Sequence, residues 1–247
     1  MIKEAFPEFT KPSIAVDTVI LRTCDFGEVN KRQVASKKLQ VLLVKKDNED
    51  KWHLPGTIMR LGETSKAAIS RIINDKSKIN DTTFEQLYTV DNDLERDERG
   101  HIISIVYIGM HSNQNIDSKV GIIGENYKSQ WFWVNKDRSF VNIDTDELVT
   151  TLMYDHVNII NDTITRLKGK LLYNDVGFNF IGERFTLKEL ENTFAAINEN
   201  PIPGFRRIIA SKVEATELMS TGYAYRPAGL YKKKTGKDKI KIGNSNE

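Results

Sequence analysis

Residues 56–79, GTIMRLGETSKAAISRIINDKSKI, follow Trp52-His53-Leu54-Pro55 and contain most parts of a phosphate-handling centre. Such a centre needs a tight glycine-bearing loop, a helix behind it, and several carboxylates one turn apart that face a single point, because Mg²⁺ takes oxygen ligands. Gly56, Gly62 and Glu63 supply the loop, and a helix is expected from about Thr64 to Ser77. Along that helix the only carboxylate is Asp75. The expected chemistry is therefore binding of a nucleotide or sugar-phosphate-like ligand without its cleavage.

A second set of residues points to a different anion. Arg206 and Arg207 are adjacent in GFRRIIASKVEA, with Lys212 one to two turns on. An arginine fork can donate two parallel bonds to a phosphate or to a guanine edge. Downstream lie Tyr225, Arg226 and Lys232 to Lys234; upstream, Thr186 and Lys188 open a helix whose N-terminus could meet a phosphate. From Arg184 onward there are 12 Lys/Arg against 7 Asp/Glu, while the whole chain carries only +2. A basic C-terminal part on a slightly acidic body suits an acidic partner.

The elements that must carry these residues follow from periodicity. Ser13 to Thr23 reads as a strand rich in β-branched residues, Leu39 to Lys46 as an apolar strand, and Phe84 to Asn92 and His101 to His111 as two strands joined by a charged turn. Gln130 to Val134 adds a short strand, and apolar spacing predicts a long helix over Thr145 to Leu172. After Asn174 the character changes. Phe185 to Asn198 carries the capping box Thr186-x-x-Glu189, Gly204 to Ala215 reads as a second helix, and Thr221 to Lys234 as a β-hairpin. Helix, turn, helix and hairpin in that order is the pattern of a winged helix-turn-helix, with the second helix in the major groove.

The 56–79 segment resembles the signature of the Nudix hydrolases. Counting from Thr57, which stands where that family has its first Gly, five residues lead to Glu63 and seven more to Arg71. Ile73 and Ile79 hold the hydrophobic positions; Ile72, Asp75, Lys76 and Lys78 replace the Glu, Glu, Glu and Gly of the family. Ile72 offers no oxygen, and Lys76 brings a positive charge to where the metal would sit, so metal activation of water is expected to fail. On a scaffold that is otherwise intact, Ile72→Glu with Lys76→Glu is expected to raise hydrolysis.

Beyond this segment, FTLKEL, GFRRII and RPAGLY, with Tyr154 to Tyr173 and the 86–109 stretch, resemble the Nudix-related transcriptional regulators from about Pro12 to Tyr231. The resemblance implies an α/β fold: a Nudix-type α/β/α sandwich with a mixed sheet, plus a C-terminal winged helix-turn-helix. It implies an effector-binding part over 1–173 that includes a linking helix, a DNA reader over 174–235, and a flexible basic tail over 236–247. The expected partners are double-stranded operator DNA, an ADP-ribose-like or sugar effector, and a second copy of the chain. No catalytic residue, metal or cofactor is expected. Candidate effector contacts are Arg60, Glu63, Arg71, Arg99, Asp155 and His156, with Arg71 read as an internal partner of Glu63. A working pyrophosphatase on a nucleoside diphosphate is the alternative, with ligands from outside the box such as Glu95, Asp97 and Glu98. A C-terminal domain used for protein contact is a third.

Length and composition agree with this organisation. At 247 residues the chain fits two domains, 39% hydrophobic content suits a soluble globular protein, and no apolar run is long enough to span a bilayer. The N-terminus has no secretory pattern, and the single Cys24 fits a reducing cytoplasm.

Overall fold

The computed structural model of the chain describes residues 11–27, 34–74, 79, 82–91, 93–112, 122–123, 127–220 and 227–234. Among these, one sheet of nine strands dominates. Strands β1 (Ser13–Phe26), β2 (Ser36–Lys46), β3 (Gly56–Ile58), β4 (Thr82–Val90) and β5 (Ile102–His111) are joined by β6 (Ile122–Ile123), β7 (Tyr127–Val134), β8 (Phe140–Asn142) and β9 (Leu148–Val149). The order is β4-β5-β1-β2-β7-β8-β9, and only β1 and β5 run parallel. A mixed sheet is thus confirmed, with β1 as its hub.

Side chains on a strand alternate between faces, and β1 uses both. Val16 and Ile20 lie in apolar clusters on the side of helix α1 (Ser65–Ile72). Val19 and Leu21 join the main core with Ile159, Ile160 and Ile164 of helix α2 (His156–Lys170). The opening half of β1 pairs with β3 through Ala15 to Asp17, and its closing half pairs with β2 from Leu21 onward. The edge of β1 away from β5 therefore changes partner in mid-strand, between Asp17 and Leu21.

The Trp52-His53-Leu54-Pro55 segment lies beside this change of partner. Pro55 O accepts bonds from Thr18 N at 2.9 Å and Thr18 Oγ1 at 2.8 Å. Trp52 O accepts from Met153 N at 2.9 Å, and Leu54 N donates to His156 Nδ1 at 2.9 Å. These bonds fix the start of α2 against the strands.

After α2 come a 3-10 turn (Val176–Phe180), helix α3 (Leu187–Asn198), helix α4 (Phe205–Ile209) and the hairpin β10 (Val213–Met219) with β11 (Gly229–Lys233). The capping box is present: Thr186 Oγ1 accepts from Glu189 N, and the Glu189 side chain accepts from Thr186 N. Gly204, at φ +67°, makes the turn into α4 in a conformation that side chains with a Cβ rarely adopt. Phe178, Phe194, Phe205 and Ile209 belong to the same buried cluster as the β2 residues Leu39, Val41 and Leu43, and α3 packs on β2. Burial of each such side chain is worth about 1.5–3 kcal/mol, so lifting α3 off the sheet would expose core.

Two helices are shorter than their spacing predicts. The expected helix over Thr145 to Leu172 begins only at His156, because Asp146 and Tyr154 have positive φ and Leu148–Val149 pairs with β8 as a strand. The expected helix over Gly204 to Ala215 stops at Ile209; Val213 to Met219 is instead the first hairpin strand, paired with Gly229–Lys233. The hairpin thus starts before the predicted Thr221, and 221–226 lie outside the described residues. Among the described residues no helix is long and apolar enough to cross a membrane.

Candidate functional site

Where β1 changes partner, a cavity of ≈ 300 Å³ opens on the α2 side of the sheet. That is near the lower end of ordinary ligand pockets, about 300–1,000 Å³. Asp17 and Ser104 form its floor, Arg96, Arg99 and Tyr154 one wall, and His156 the base of α2. Lys46, Glu49 and Tyr127 approach from the other side.

Asp17 is the buried acid of this site. It is 8% exposed, and burial, the largest influence, raises its carboxyl pKa against the lowering effects of a Ser104 bond and the Arg96 charge. Gly56 lies beside it in β3, and a Cβ at that glycine would fall 2.0 Å from Asp17 Oδ1. Only glycine lets the carboxylate lie across this strand. Arg96 donates to Ser104 Oγ at 2.8 Å and grips Asp155 with two bonds, Nε to Oδ2 at 3.1 Å and Nη2 to Oδ1 at 2.7 Å. Arg99 binds Asp97 at 2.8 and 2.6 Å and lies 5.2 Å from the centre of the Tyr154 ring. Its hydrogen bonds hold Asp97 below the usual carboxylate range. Asp155 and Asp97 thus already balance the charges of both arginines, so an anionic ligand must compete with them.

His156 is 3% exposed, and burial pushes its pKa down to about 3, so it stays neutral with Nδ1 accepting the Leu54 N–H. Its unfolded value, 6.5, is higher. Below pH 6.5 the unfolded chain binds the proton first, and stability falls as pH drops toward 3. At about 1.4 kcal/mol per unit, roughly 2 kcal/mol is lost by pH 5. The His156→Gln variant lacks this term. Its stability deficit relative to wild type, measured by urea denaturation, is expected to shrink by about that amount between pH 7 and pH 5. A pH-independent deficit would mean that His156 takes up its proton in the folded chain at the same pH as in the unfolded one.

Of the six sequence candidates for effector contact, Arg99 and His156 line the cavity and Asp155 holds one of its arginines. Arg60 is exposed on the box loop and does not line it. Glu63 and Arg71 are occupied with each other: Arg71 donates to both Glu63 oxygens at 2.9 and 2.8 Å, to Thr57 Oγ1 at 2.6 Å and to Ile58 O at 3.0 Å. Those bonds, ahead of one from Arg60 N, hold Glu63 well below the ordinary carboxylate range. The pair braces the box loop against α1. Asp17, Glu49, Arg96 and Ser104 were not foreseen. The available signal was Asp17, an acidic residue among Ile14, Ala15, Val16, Val19 and Ile20 of β1.

Among the described residues, the motif position at Ile72 offers Mg²⁺ no oxygen. Ile72, where a hydrolase would have a carboxylate, is 1% exposed and packs with Val16, Ala68 and Ile69. Among the described residues, no group of three or more His, Cys, Asp and Glu could hold a metal. Asp75, Lys76 and Lys78 lie outside the described residues.

Arg206 and Arg207 are exposed on α4, whose opposite side is fixed by buried Phe205 and Ile209. Lys188 is exposed and paired with Glu191 at 3.0 Å; Lys232 is exposed on β11 and paired with Glu214 at 3.1 Å. Two expectations need correction. Lys212 is not on the second helix, which ends at Ile209; it bonds Asn174 O at 3.3 Å and Asp175 at 3.2 Å, tying the hairpin to the end of the linking segment. Thr186 is 4% exposed and its oxygen already caps α3, so it faces the core and not a phosphate. Tyr225 and Arg226 lie outside the described residues.

The chain is similar to several known proteins. The NrtR DNA-binding winged helix domain matches residues 177–232. The ADPR responsive transcriptional repressor NtrR of Acinetobacter baylyi is 24% identical over 233 residues, covering 91% of this chain and 83% of the relative. The crystal structure of Shewanella oneidensis NrtR complexed with a 27mer DNA is 27% identical, with a TM-score of 0.66, over 90% of this chain and 93% of that one. A MutT/nudix family protein from Enterococcus faecalis shares the fold at 21% identity, with a TM-score of 0.68 over 94% and 90% of the two chains.

Proposed function

We propose that this chain, NrtR-like in both its Nudix-type and its winged-helix part, is a transcriptional regulator whose Nudix-type domain senses a ligand and no longer hydrolyses it. The observation that carries the reading is one continuous core that joins a polar cavity to a helix bearing exposed Arg206 and Arg207. Residues 1–173 serve as the effector-binding part and 174–235 as the DNA reader. Repression is the favoured sign, supported by the Acinetobacter baylyi relative, a repressor named for its response to ADPR. ADP-ribose is accordingly the first effector to test, followed by NAD-related nucleotides and pentoses.

The chain acts in the cytoplasm as a dimer, which sets two α4 helices about one DNA turn, roughly 34 Å, apart. The ligand moves operator affinity only as far as it prefers one dimer arrangement over the other. Such coupling is typically about 5–150-fold.

The test is a shift assay on the DNA upstream of the protein's own gene, with ADP-ribose, NAD and pentoses added in turn. A salt-dependent shift that one of these ligands alters by about fivefold or more is the expected result. Rapid Mg²⁺-dependent turnover of ADP-ribose with no affinity for duplex DNA would instead establish the pyrophosphatase reading.

A further inference from the structure

The residue at the start of α2 has two competing uses. Asp155 occupies the N-cap position of that helix, yet its side chain makes no capping bond. Aspartate is among the residues most favoured to cap a helix, by accepting the N–H of the second or third helical residue; here those would be Val157 and Asn158. Instead both carboxylate oxygens of Asp155 are taken by Arg96, whose side chain is only 5% exposed and lines the cavity. An arginine fork fits a phosphate as well as it fits a carboxylate.

The far end of α2 is bonded to the DNA reader. Lys168, in its last turn, binds Glu199, which ends α3 in a left-handed conformation at φ 58° and is also held by Arg138. Lys170 binds Glu85 on β4. Fifteen residues of helix, about 22 Å long, thus connect the cavity to the helix pair that carries Arg206 and Arg207.

We propose that the Arg96–Asp155 pair is the effector switch: an anionic group of the ligand takes Arg96, and the released Asp155 turns to cap α2. Repositioning of that helix then reaches Glu199, α3 and α4. The switch rests on the reading of the cavity as the effector site. It gives the ligand the differential affinity that a shift of equilibrium requires, because only one of the two arrangements leaves Arg96 available.

The test uses the full chain, ADP-ribose as the anionic probe, calorimetry for ligand binding and anisotropy for operator binding. Wild type is expected to change its operator affinity about fivefold or more with ADP-ribose. Asp155→Ala removes the competitor for Arg96 but cannot cap. It should bind ADP-ribose several-fold more tightly, and its operator affinity should change less than about twofold on adding ligand. Tighter ligand binding is something a merely structural role would not produce. Asp155→Asn keeps a capping oxygen and gives up the ion pair. Without ligand, its operator affinity should lie near that of ligand-saturated wild type, and it carries the test should the alanine variant not fold. Lys168→Ala should keep wild-type affinity for ADP-ribose while losing most of the response. Wild-type ligand affinity and response in both Asp155 variants would overturn the switch alone. A wild-type chain that binds neither ADP-ribose nor its upstream DNA would overturn the functional reading, and the switch with it.

Discussion

Arg206→Ala combined with Arg207→Ala is expected to weaken operator binding by on the order of 100-fold or more, since each arginine contact to a base or phosphate is worth about 1–3 kcal/mol. The geometry of α4 supports a loss confined to DNA. Phe205 and Ile209, one helical turn apart, are both 2% exposed and anchor the helix; Arg206 and Arg207 project from it without contributing to the core. Folding stability should therefore change by no more than about 0.5 kcal/mol, and ADP-ribose affinity should be unchanged. The salt dependence should also fall, by a slope of about 1.8 if both side chains neutralise phosphates. Retained affinity for one operator sequence over others, with only the salt slope reduced, would assign the pair to backbone contacts. Full retention of binding would mean that another surface meets DNA.

What could be read from the sequence was whatever local chemistry determines. The Thr186-Glu189 capping box formed as its spacing predicts, because both partners lie within one helical turn. The Glu63–Arg71 pair was also readable, since the motif's fixed spacing brings the loop at Glu63 against Arg71 in the last turn of α1. The cavity was not. Asp17, Ser104, Arg96 and Asp155 come from separate strands, a turn and a helix, and their chain of contacts exists only once β1 pairs with β5 and α2 docks. Apolar spacing also overran two helix ends. Leu148 and Leu152 continue the pattern of α2 backward, but Asp146 and Tyr154 take left-handed conformations that no helix accepts. Val213 to Met219 is compatible with either helix or strand, and pairing with Gly229–Lys233 decides for strand. Thr186 shows a further limit: its type suited a phosphate contact, but its own helix had already engaged the hydroxyl.

Ile72→Glu is expected to destabilise the chain by about 3–5 kcal/mol, the scale for an unpartnered charge in a buried site, and with Lys76→Glu it should not restore hydrolysis. The motif spacing alone argues the opposite, because a glutamate there returns one carboxylate of the hydrolase pattern. The packing decides between the two. Ile72 is 1% exposed among Val16, Ala68 and Ile69, with Met59, Phe84 and Tyr107 packed around the same cluster. A carboxyl group placed among these side chains would lose its water without gaining a cation. It would take up a proton in preference to binding Mg²⁺. Urea denaturation of Ile72→Glu measures the cost, and Mg²⁺-dependent formation of AMP and ribose 5-phosphate from ADP-ribose by the double variant measures the chemistry. A double variant with wild-type stability that turns over ADP-ribose would show that this face of α1 still admits water and metal. Loss of catalysis would then rest on the missing carboxylates alone. The expected result ties it to the packing as well: residue 72 belongs to an apolar cluster with Val16, Ala68 and Ile69, so a glutamate placed there is not free to serve as a ligand.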